Sequence, residues 1–465
     1  MTARRRIFQG LLASIYGRGV LIAGQILLVP ILITRWTLTG FGEWVAISAI
    51  ASYLSYTNIG MPGALRAHMA MAFSRDGHTA MKEAFHSALA LISAVAGAIG
   101  LTYVVALQVL PLGEMLKLHW MAPSEVVFVA TILGLQLVIY AISSVFMAAL
   151  SSIGQYPKAT LLDAHRQTFE FLAMLLVVGV LRQPPWVAVL IYLISWSGLT
   201  LALAFSVWRG APWLYAGPPS LRLGVLKELA GPMLGVLGMT FGYVGMSVQA
   251  PRIILAATVG PKATAIYAVA SMMMRIVRIP IDIPAHSATV EMSLTAGRGD
   301  WAAARGLLSN TTRVCLWLAL ISAPVVITLG PWASYIWSNH RTRAPMSVLA
   351  LMSGSAVLFA LSLPCQEGLM AIGQLNKATK WLLWYSIPFL GLCWLLSRQF
   401  GLNGTAGAII TLDFVYAVSG MSAATKYFHY PEGGVWKPLM KPPVDLIQSE
   451  LKKLRTVGRQ SDLTS

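Results

Sequence analysis

Charged residues are scarce in this chain. Only 11% of its 465 residues are charged, and Asp and Glu together number 17. An ordinary soluble domain carries about 25% charged residues, because its surface has to be hydrated. The scarcity of charge, and of acids above all, excludes a soluble globular protein as the body of this chain.

Cysteine is rare as well. The three cysteines, Cys315, Cys365 and Cys393, are odd in number and far apart in sequence, so we expect neither a disulfide framework nor a metal site. The eight histidines lack ligand spacing, and the chain shows no phosphate-binding glycine loop or nucleophile motif. We therefore expect no catalytic residue, no metal and no cofactor, and the sequence does not predict an enzyme.

Long hydrophobic runs take the place of charge. Hydrophobic residues make up 57% of the chain, in runs of about 20 residues, which is the length that crosses a hydrocarbon layer of about 30 Å as a helix. The runs are continuous rather than alternating, which excludes barrel strands. The pattern predicts an all-α polytopic membrane protein with twelve transmembrane helices. They span residues 7–33, 43–66, 83–110, 124–150, 160–181, 186–207, 229–258, 264–290, 306–329, 346–371, 379–397 and 402–425.

The net charge is +17, and its distribution predicts the orientation. With the amino terminus inside, most Lys and Arg residues fall in the inner loops and the tail, as the positive-inside rule requires. Both termini are therefore expected in the cytoplasm. The positive charge then attracts anionic membrane lipid, and nucleic acid is not an expected partner.

One short sequence occurs twice. Residues 152–160 read SIGQYPKAT and residues 371–379 read AIGQLNKAT, with six identities in nine positions. A weaker echo relates residues 75–88 to residues 298–311. The two echoes predict a duplication of six helices, and an even number gives both halves the same orientation, with a central cavity between them. The predicted segments are a first half 1–208, a linker 209–228, a second half 229–428 and a cytoplasmic tail 429–465.

The stretch from Gly40 to Arg66, GFGEWVAISAIASYLSYTNIGMPGALR, resembles the segment that joins the first two helices of bacterial polysaccharide-unit transporters. These include the O-antigen flippases and belong to the superfamily of multidrug, oligosaccharidyl-lipid and polysaccharide exporters. The features that match are Phe41, Gly42, Trp44, Tyr53, Tyr56, Asn58, Gly60 and Arg66. Family members often carry Asp at the position of Asn58.

The resemblance implies a flippase of the bacterial inner membrane. Such a protein moves polyprenyl-pyrophosphate-linked oligosaccharide units by alternating access, for cell-surface or exopolysaccharide biosynthesis, with other polysaccharide-assembly proteins as possible partners. An ion-coupled multidrug exporter of the same superfamily is the alternative. A glycan polymerase or ligase would need a long outer loop, and the predicted outer loops are short.

Arginines inside the spans are the candidate substrate ligands, because guanidinium groups bind phosphate through paired donors. Arg18 lies near mid-depth of the first span and Gln25 shares its face, whereas Arg66 lies at the cytoplasmic end of the second. A structural ion pair is the alternative role for Arg18.

The seventh span carries Gln249 and Arg252 at the end of a stripe of glycines. This stripe either borders the cavity or only lets helices pack closely, and Arg252 could also snorkel to the interface. The stripe comprises Gly235, Gly238, Gly242, Gly245, Gln249 and Arg252.

The eighth span carries Arg275, Arg278 and Asp282 on one face. Arg278 and Asp282 are four residues apart and can pair, while Arg275 has no acid three or four residues away in the sequence. Arg275 is therefore a candidate ligand for an anion, and Pro280 and Pro284 predict a kink.

The fifth span carries Asp163, Arg166 and Glu170 one turn apart. Arg166 can be flanked by both acids in a structural network. Glu170 could instead exchange protons.

Overall fold

The fold is built from α-helices. The structure, a computed structural model, describes residues 3–55, 61–216, 224 and 240–430, and these residues form no β-strand. Asn58, Gly60, Gly235, Gly238, most of the linker and the tail from residue 431 onward lie outside the described residues.

The helices follow the hydrophobic runs. In chain order they are α1 Ala3–Ser55, α2 Met61–Val109, α3 Leu112–Met115, α4 Pro123–Leu150, α5 Tyr156–Met174, α6 Pro185–Gly210, α7 Ala250–Thr258, α8 Pro261–Met273, α9 Arg275–Gly297, α10 Trp301–Trp337, α11 Met346–Ala371 and α12 Leu375–Tyr427. Residues Ser151–Gln155, Leu175–Val180 and Thr240–Gln249 form π-helical segments. By length and hydropathy, seven helices of the described part can span a membrane, or eight if the bent pair α8 and α9 forms one span.

The longest helices are pairs joined at sharp breaks. α1 and α12 have 53 residues each, about twice the length that spans a bilayer, and a single residue leaves helical geometry inside each: Thr37 with φ 65° and Gly401 with φ 56°. α2 is broken in the same way at Gly77, with φ 71°. These breaks divide the long runs into the separate spans predicted from the sequence.

Apart from His429, which follows α12, the positive-φ positions of the described residues recur in pairs along the chain. In the first half they are Thr37, Gly77, Lys117, Gly154 and Arg182, and in the second Gly260, Gly299, Asn339 with His340, Gly373 and Gly401. Each second-half member lies 219 to 223 residues after its counterpart. Five breaks separate six helical segments, so this pairing is the backbone pattern expected of two six-helix repeats.

The repeated sequence is explained at one of these pairs. Gly154 and Gly373 are the glycines of the two Ile-Gly-Gln copies, with φ of 80° and 70°. L-residues avoid this region, and glycine enters it without steric cost. The alignment of the weaker echo is wrong by one residue. By backbone conformation Gly77 corresponds to Gly299, 222 residues later, whereas residues 75–88 and 298–311 are offset by 223.

The chain forms two compact units. The first comprises Met1–Val269, Trp332–Arg343 and Leu390–Thr405, and the second comprises Ala270–Pro331, Ala344–Phe389 and Ala406–Ser465. The first unit has a core in which Phe85, Phe146 and Leu203 bring together α2, α4 and α6. In the second unit Met292, Leu308 and Phe428 join α9, α10 and the end of α12.

The kink predicted for the eighth span lies before its prolines. α8 and α9 meet at Met274 with a bend of 45°, whereas Pro280 and Pro284 lie inside α9. A proline ring clashes with the carbonyl four residues earlier, so a bend on the amino-terminal side of Pro280 is the expected response. Arg275 is the first residue after it.

Candidate functional site

Two of the predicted arginines converge on one tyrosine of the first unit. We call Ser14, Arg18, Arg66 and Tyr156 the Tyr156 cluster. The Arg66 guanidinium lies 5.9 Å from the centre of the Tyr156 ring, and the charges of both Arg18 and Arg66 act on the Tyr156 hydroxyl. Both arginine side chains are exposed. The cluster thus places two accessible cations around one hydroxyl group.

Helix packing builds this cluster. Ser14 and Arg18 are one turn apart on α1 and therefore share a face, and Ser14 Oγ lies 3.3 Å from the Tyr156 hydroxyl at the start of α5. Ser152 Oγ donates a hydrogen bond to the carbonyl oxygen of Arg66 (3.2 Å), which holds the start of α2 against the same turn.

The first copy of the repeated sequence supplies the tyrosine. Tyr156 is 40% exposed, whereas the corresponding Leu375 of the second copy is buried. The shared residues of the two copies thus form the turn, and the tyrosine distinguishes the first copy chemically.

The network predicted in the fifth span is present. Arg166 Nε lies 2.9 Å from Asp163 Oδ1, and its Nη1 lies 2.6 Å from Glu170 Oε1. The guanidinium also stacks 3.9 Å from the ring centre of Trp196 on α6. Both acids thus flank Arg166. With two carboxylates and a ring around it, this arginine is saturated with protein partners.

Arg278 has a different partner from the predicted one. Its Nη2 lies 3.9 Å from Asp413 Oδ2 on α12, and its guanidinium lies 4.8 Å from the ring centre of Phe359 on α11. Asp413 also accepts a hydrogen bond from Ser355. The ion pair that the structure forms therefore joins two helices, whereas the predicted pair with Asp282 would have stayed on one. Asp282 is half-buried on α9, and its environment includes the charges of Arg278, His286 and Glu367.

The glycine stripe departs from the predicted geometry. Thr240–Gln249 is π-helical, with i to i+5 hydrogen bonds, so spacings of three and four do not align Gly242, Gly245 and Gln249 as they would in an α-helix. A Cβ on Gly245 would lie 3.0 Å from the Tyr53 ring of α1. Gly245 therefore serves close helix packing, which is one of the two roles predicted for the stripe.

The remaining predicted ligands are dispersed. Arg252 is half-buried and donates from Nη1 to Oε1 of the buried Gln249 (3.3 Å), so the two bind each other rather than snorkelling. Gln25 is half-buried on α1, and Arg275 is exposed at the start of α9. Within one unit, the structure brings together Arg18 and Arg66, not the whole predicted set.

The fold has known counterparts among solved structures. A multidrug resistance transporter of the MATE family in an inward-facing conformation superposes with a TM-score of 0.68 at 14% identity, covering 92% of this chain and 98% of that one. The lipid II flippase MurJ in an inward closed conformation gives 0.67 at 12% identity, covering 92% and 90%. A MOP-superfamily transporter from Pyrococcus furiosus gives 0.62 at 14% identity, covering 91% and 95%. The chain shares the fold of these three proteins.

This fold is a two-lobe arrangement of twelve helices, and the predicted fold class is confirmed. No protein-family model matches the sequence, and no curated protein matches it. The structural neighbours are transporters and flippases, and the chain is a multi-pass membrane protein.

Contacts within the first unit explain the motif between the first two predicted helices. Phe41 and Trp44 are buried, and Gly42 lies against α8, where a Cβ would come within 1.9 Å of the Pro261 carbonyl oxygen. Glu43 between them is fully buried, and its carboxylate accepts the backbone N–H groups of residues 119, 120 and 121 at 2.7 to 2.9 Å. The motif therefore stabilises the turn between α3 and α4.

Three buried or paired groups escaped the sequence analysis. Glu43 is one of them. Arg313 is buried in α10 with an exposure of 5%, and His286 of α9 forms an ion pair with Glu367 of α11. The i, i+7, i+11 spacing of Arg275, Asp282 and His286 was the signal that could have identified His286.

Proposed function

We propose that this protein is a flippase that moves polyprenyl-pyrophosphate-linked oligosaccharide units across the bacterial inner membrane by alternating access, for cell-surface or exopolysaccharide biosynthesis. The observation that carries the proposal is the Tyr156 cluster. Arg18 and Arg66 are both exposed, and no carboxylate of the described residues lies within 4 Å of either one. A diphosphate that leaves water needs such cations.

Three of the acids inside the helices support the same substrate charge. Glu170 is held by Arg166, Asp413 by Arg278, and Glu367 by His286 and Thr289. Each of these carboxylates already has a cationic or hydroxyl partner, whereas a cationic substrate would need a carboxylate that is available to it. The accessible charge in the Tyr156 cluster is positive and selects anions.

Arg275 is proposed as a further ligand, because it is exposed at the start of α9 and follows the bend between α8 and α9. Gln25, Gln249 and Arg252 complete the proposed set. Arg252 and Gln249 already bind each other, so we assign them a secondary part. If both termini are cytoplasmic, as the sequence predicts, Arg66 and Tyr156 lie at the end of the protein where the lipid-linked substrate is made, and Arg18 lies deeper in α1.

An ion-coupled multidrug exporter is the second candidate. The MATE transporter and the lipid II flippase MurJ superpose almost equally well, with TM-scores of 0.68 and 0.67, so the fold accommodates both functions. The charge of the bound substrate separates them.

The test compares two fluorescent probes in proteoliposomes, a polyprenyl diphosphate and a lipophilic cation. A charge-assisted contact contributes about 1.5 to 3 kcal/mol, so Arg18→Ala and Arg66→Ala should each weaken diphosphate transport by about ten- to hundredfold. Arg18→Lys should restore part of it, because lysine keeps the charge and loses the fork. Arg275→Ala and Arg275→Lys should follow the same order.

The matched control is Arg343→Ala, which removes an exposed arginine outside the proposed site. It should leave transport of both probes unchanged. Undiminished diphosphate transport in both Arg18→Ala and Arg66→Ala would refute the anionic substrate. Cation transport that is lost together with diphosphate transport would favour the exporter.

A further inference from the structure

α9 carries ionisable residues along one face. Arg275, Asp282 and His286 occupy positions i, i+7 and i+11, which coincide on a helix of 3.6 residues per turn. Arg275 and His286 are exposed and Asp282 is half-buried. Ionisable groups at membrane depth face water or protein rather than lipid, so this face of α9 borders a polar environment.

The His286 imidazole lies within hydrogen-bonding distance of a buried carboxylate. We call Asp282, His286, Thr289 and Glu367 the His286 cluster. His286 Nδ1 lies 3.0 Å from Glu367 Oε1, and Thr289 Oγ1 donates to Glu367 Oε2 at 2.8 Å. The His286 side chain is 61% exposed and that of Glu367 is 7% exposed. A proton from water can therefore reach the imidazole directly and pass from it to the carboxylate.

The surroundings leave this cluster rich in acid. On α9 itself, Asp282 is within electrostatic range of His286, of Arg278 and of Glu367. The charge of Arg278 is shared with Asp413 of α12. Among the described residues, Cys315 of α10 also interacts electrostatically with Asp282, Tyr416 of α12 with Glu367, and Cys365 of α11 with both Cys315 and Tyr416. Thiol and phenol groups are neutral in their ordinary state. Two carboxylates thus face one imidazole, and a proton taken up there reduces the local negative charge.

We propose that His286, Glu367 and Asp282 form a proton-binding site, and that proton uptake there is coupled to transport. With a neutral imidazole, Nδ1–H donates to Glu367 Oε1. A proton from water then adds to Nε2 and gives an imidazolium–carboxylate pair, and a second proton can add to the Asp282 carboxylate. Each proton returns to water on release, so no covalent bond to the protein other than N–H or O–H is made or broken.

The coupling to transport rests on the proposed function and deepens it. The proton-binding site does not depend on the proposed function. Each bound proton adds one positive charge to the face of α9 that carries Arg275. At a rise of about 1.5 Å per residue, Asp282 and His286 lie about 10 and about 16 Å from Arg275 along α9, and in a medium of low dielectric constant a charge still acts over such distances. Protonation of the cluster should therefore favour binding of an anionic diphosphate near Arg275, and release of the protons should favour its departure.

Proton binding is tested first, on the purified full chain in lipid nanodiscs. Infrared difference spectra between about pH 8 and about pH 5, the range in which histidine changes charge, should show imidazole and carboxyl bands. The chain has eight histidines, so the carboxyl bands are the informative signal: both His286→Gln and Glu367→Gln should alter them, because each removes one side of the imidazole–carboxylate pair. His119→Gln is the matched control, because this side chain is exposed and only its backbone N–H is used, and it should change imidazole bands alone. Carboxyl bands of His286→Gln identical to those of the wild type would overturn the site.

Coupling is tested in proteoliposomes with a fluorescent polyprenyl diphosphate and an imposed pH gradient. For one coupled proton, the leaflet distribution of the probe should shift by about tenfold per pH unit of gradient. The shift should vanish in Glu367→Gln, and in the exposed variant His286→Gln if Glu367→Gln yields no folded protein. A wild-type distribution that ignores the gradient while the probe moves would refute coupling. If the wild-type protein shows the pH-dependent imidazole and carboxyl bands but moves no probe, the flippase is refuted and the proton-binding site is retained.

Discussion

At the scale of single residues, the motif from Phe41 to Trp44 shows why a glycine and an acid stand side by side in a membrane protein. A glycine stands at position 42 because the start of α8 passes against its Cα, and an acid stands at position 43 because its two carboxyl oxygens accept three backbone N–H groups. Both reasons are geometric and local. They lead to two predictions.

Gly42→Ala should prevent normal packing of α1 on α8. Its Cβ would come within 1.9 Å of a backbone carbonyl oxygen, which cannot rotate away as a side chain can. We expect a large fall in folded yield and in the thermal unfolding midpoint, followed by fluorescence-detected size exclusion. Gly198→Ala in α6 is the control, because a Cβ there meets nothing within 4 Å and alanine is the better helix former. Equal yields for the two variants would contradict the close approach.

Glu43→Gln should destabilise the turn after α3. The neutral amide offers one acceptor oxygen in place of two and weakens the remaining bonds, and a hydrogen bond to a charged group contributes about 1.5 to 3 kcal/mol. We expect a loss of about 3 kcal/mol in the free energy of unfolding, measured by reversible denaturation in detergent. Glu125→Gln, which removes a carboxylate from an exposed helix cap, should cost less than 1 kcal/mol. A similar cost for both would show that the burial of Glu43 is irrelevant.

At the scale of helices, α10 supplies a hydrogen-bond donor that α1 lacks. Pro30 lies inside α1 and has no N–H to donate to the carbonyl of Ile26, four residues earlier. Trp337 Nε1 donates to that carbonyl at 2.7 Å. Both residues belong to the first unit, so the end of α10 satisfies a backbone group that the proline leaves open.

This exchange predicts a coupled pair of substitutions. Trp337→Phe should lower the free energy of unfolding by about 1 to 3 kcal/mol, since the Ile26 carbonyl loses its donor. Pro30→Ala restores an N–H to the helix, so Trp337→Phe in that background should cost clearly less. A double-mutant cycle of unfolding free energies measures the difference. Additive costs would mean that Trp337 stabilises α1 only by packing.

The Arg166 network predicts a structural role for Glu170. Glu170→Gln removes one of the two carboxylates that neutralise the buried Arg166, and breaking a buried pair costs about 3 to 5 kcal/mol. We expect a lower folded yield, with the pH response of the surviving protein the same as in the wild type. Ser195→Ala removes only a hydroxyl donor to Glu170 and should cost less. Normal yield with an altered pH response would assign proton exchange to Glu170.

At the scale of the whole molecule, the paired backbone breaks imply that equivalent turns face the same side of the membrane. Lys158 and Lys377 follow Gly154 and Gly373 by four residues each, and both side chains are exposed. In a chain whose three native cysteines are replaced, the single variants Lys158→Cys and Lys377→Cys should each react with an impermeant maleimide only from the cytoplasmic side. Arg341→Cys, placed in an outer loop by the predicted topology, should react only from outside. Labelling of the two lysine positions from opposite sides would refute parallel repeats.

The sequence alone determined the fold class, because hydrophobic length is a local property and the bilayer thickness converts it into spans. It also located the turns, since the glycines of the repeat occupy backbone conformations that other residues avoid. The ion pairs of Arg166 were predictable because they are local: Asp163, Arg166 and Glu170 lie within two turns of one helix.

Only the tertiary structure decided which distant groups meet. Arg278 could reach an acid on its own helix, yet packing placed Asp413 of α12 against it. Contacts between helices far apart in sequence bring Arg66 to the Tyr156 ring and pair Glu367 with His286. Hydrophobic pattern specifies that a helix is buried but not which neighbour it meets, because lipid and apolar side chains solvate a helix face almost equally well.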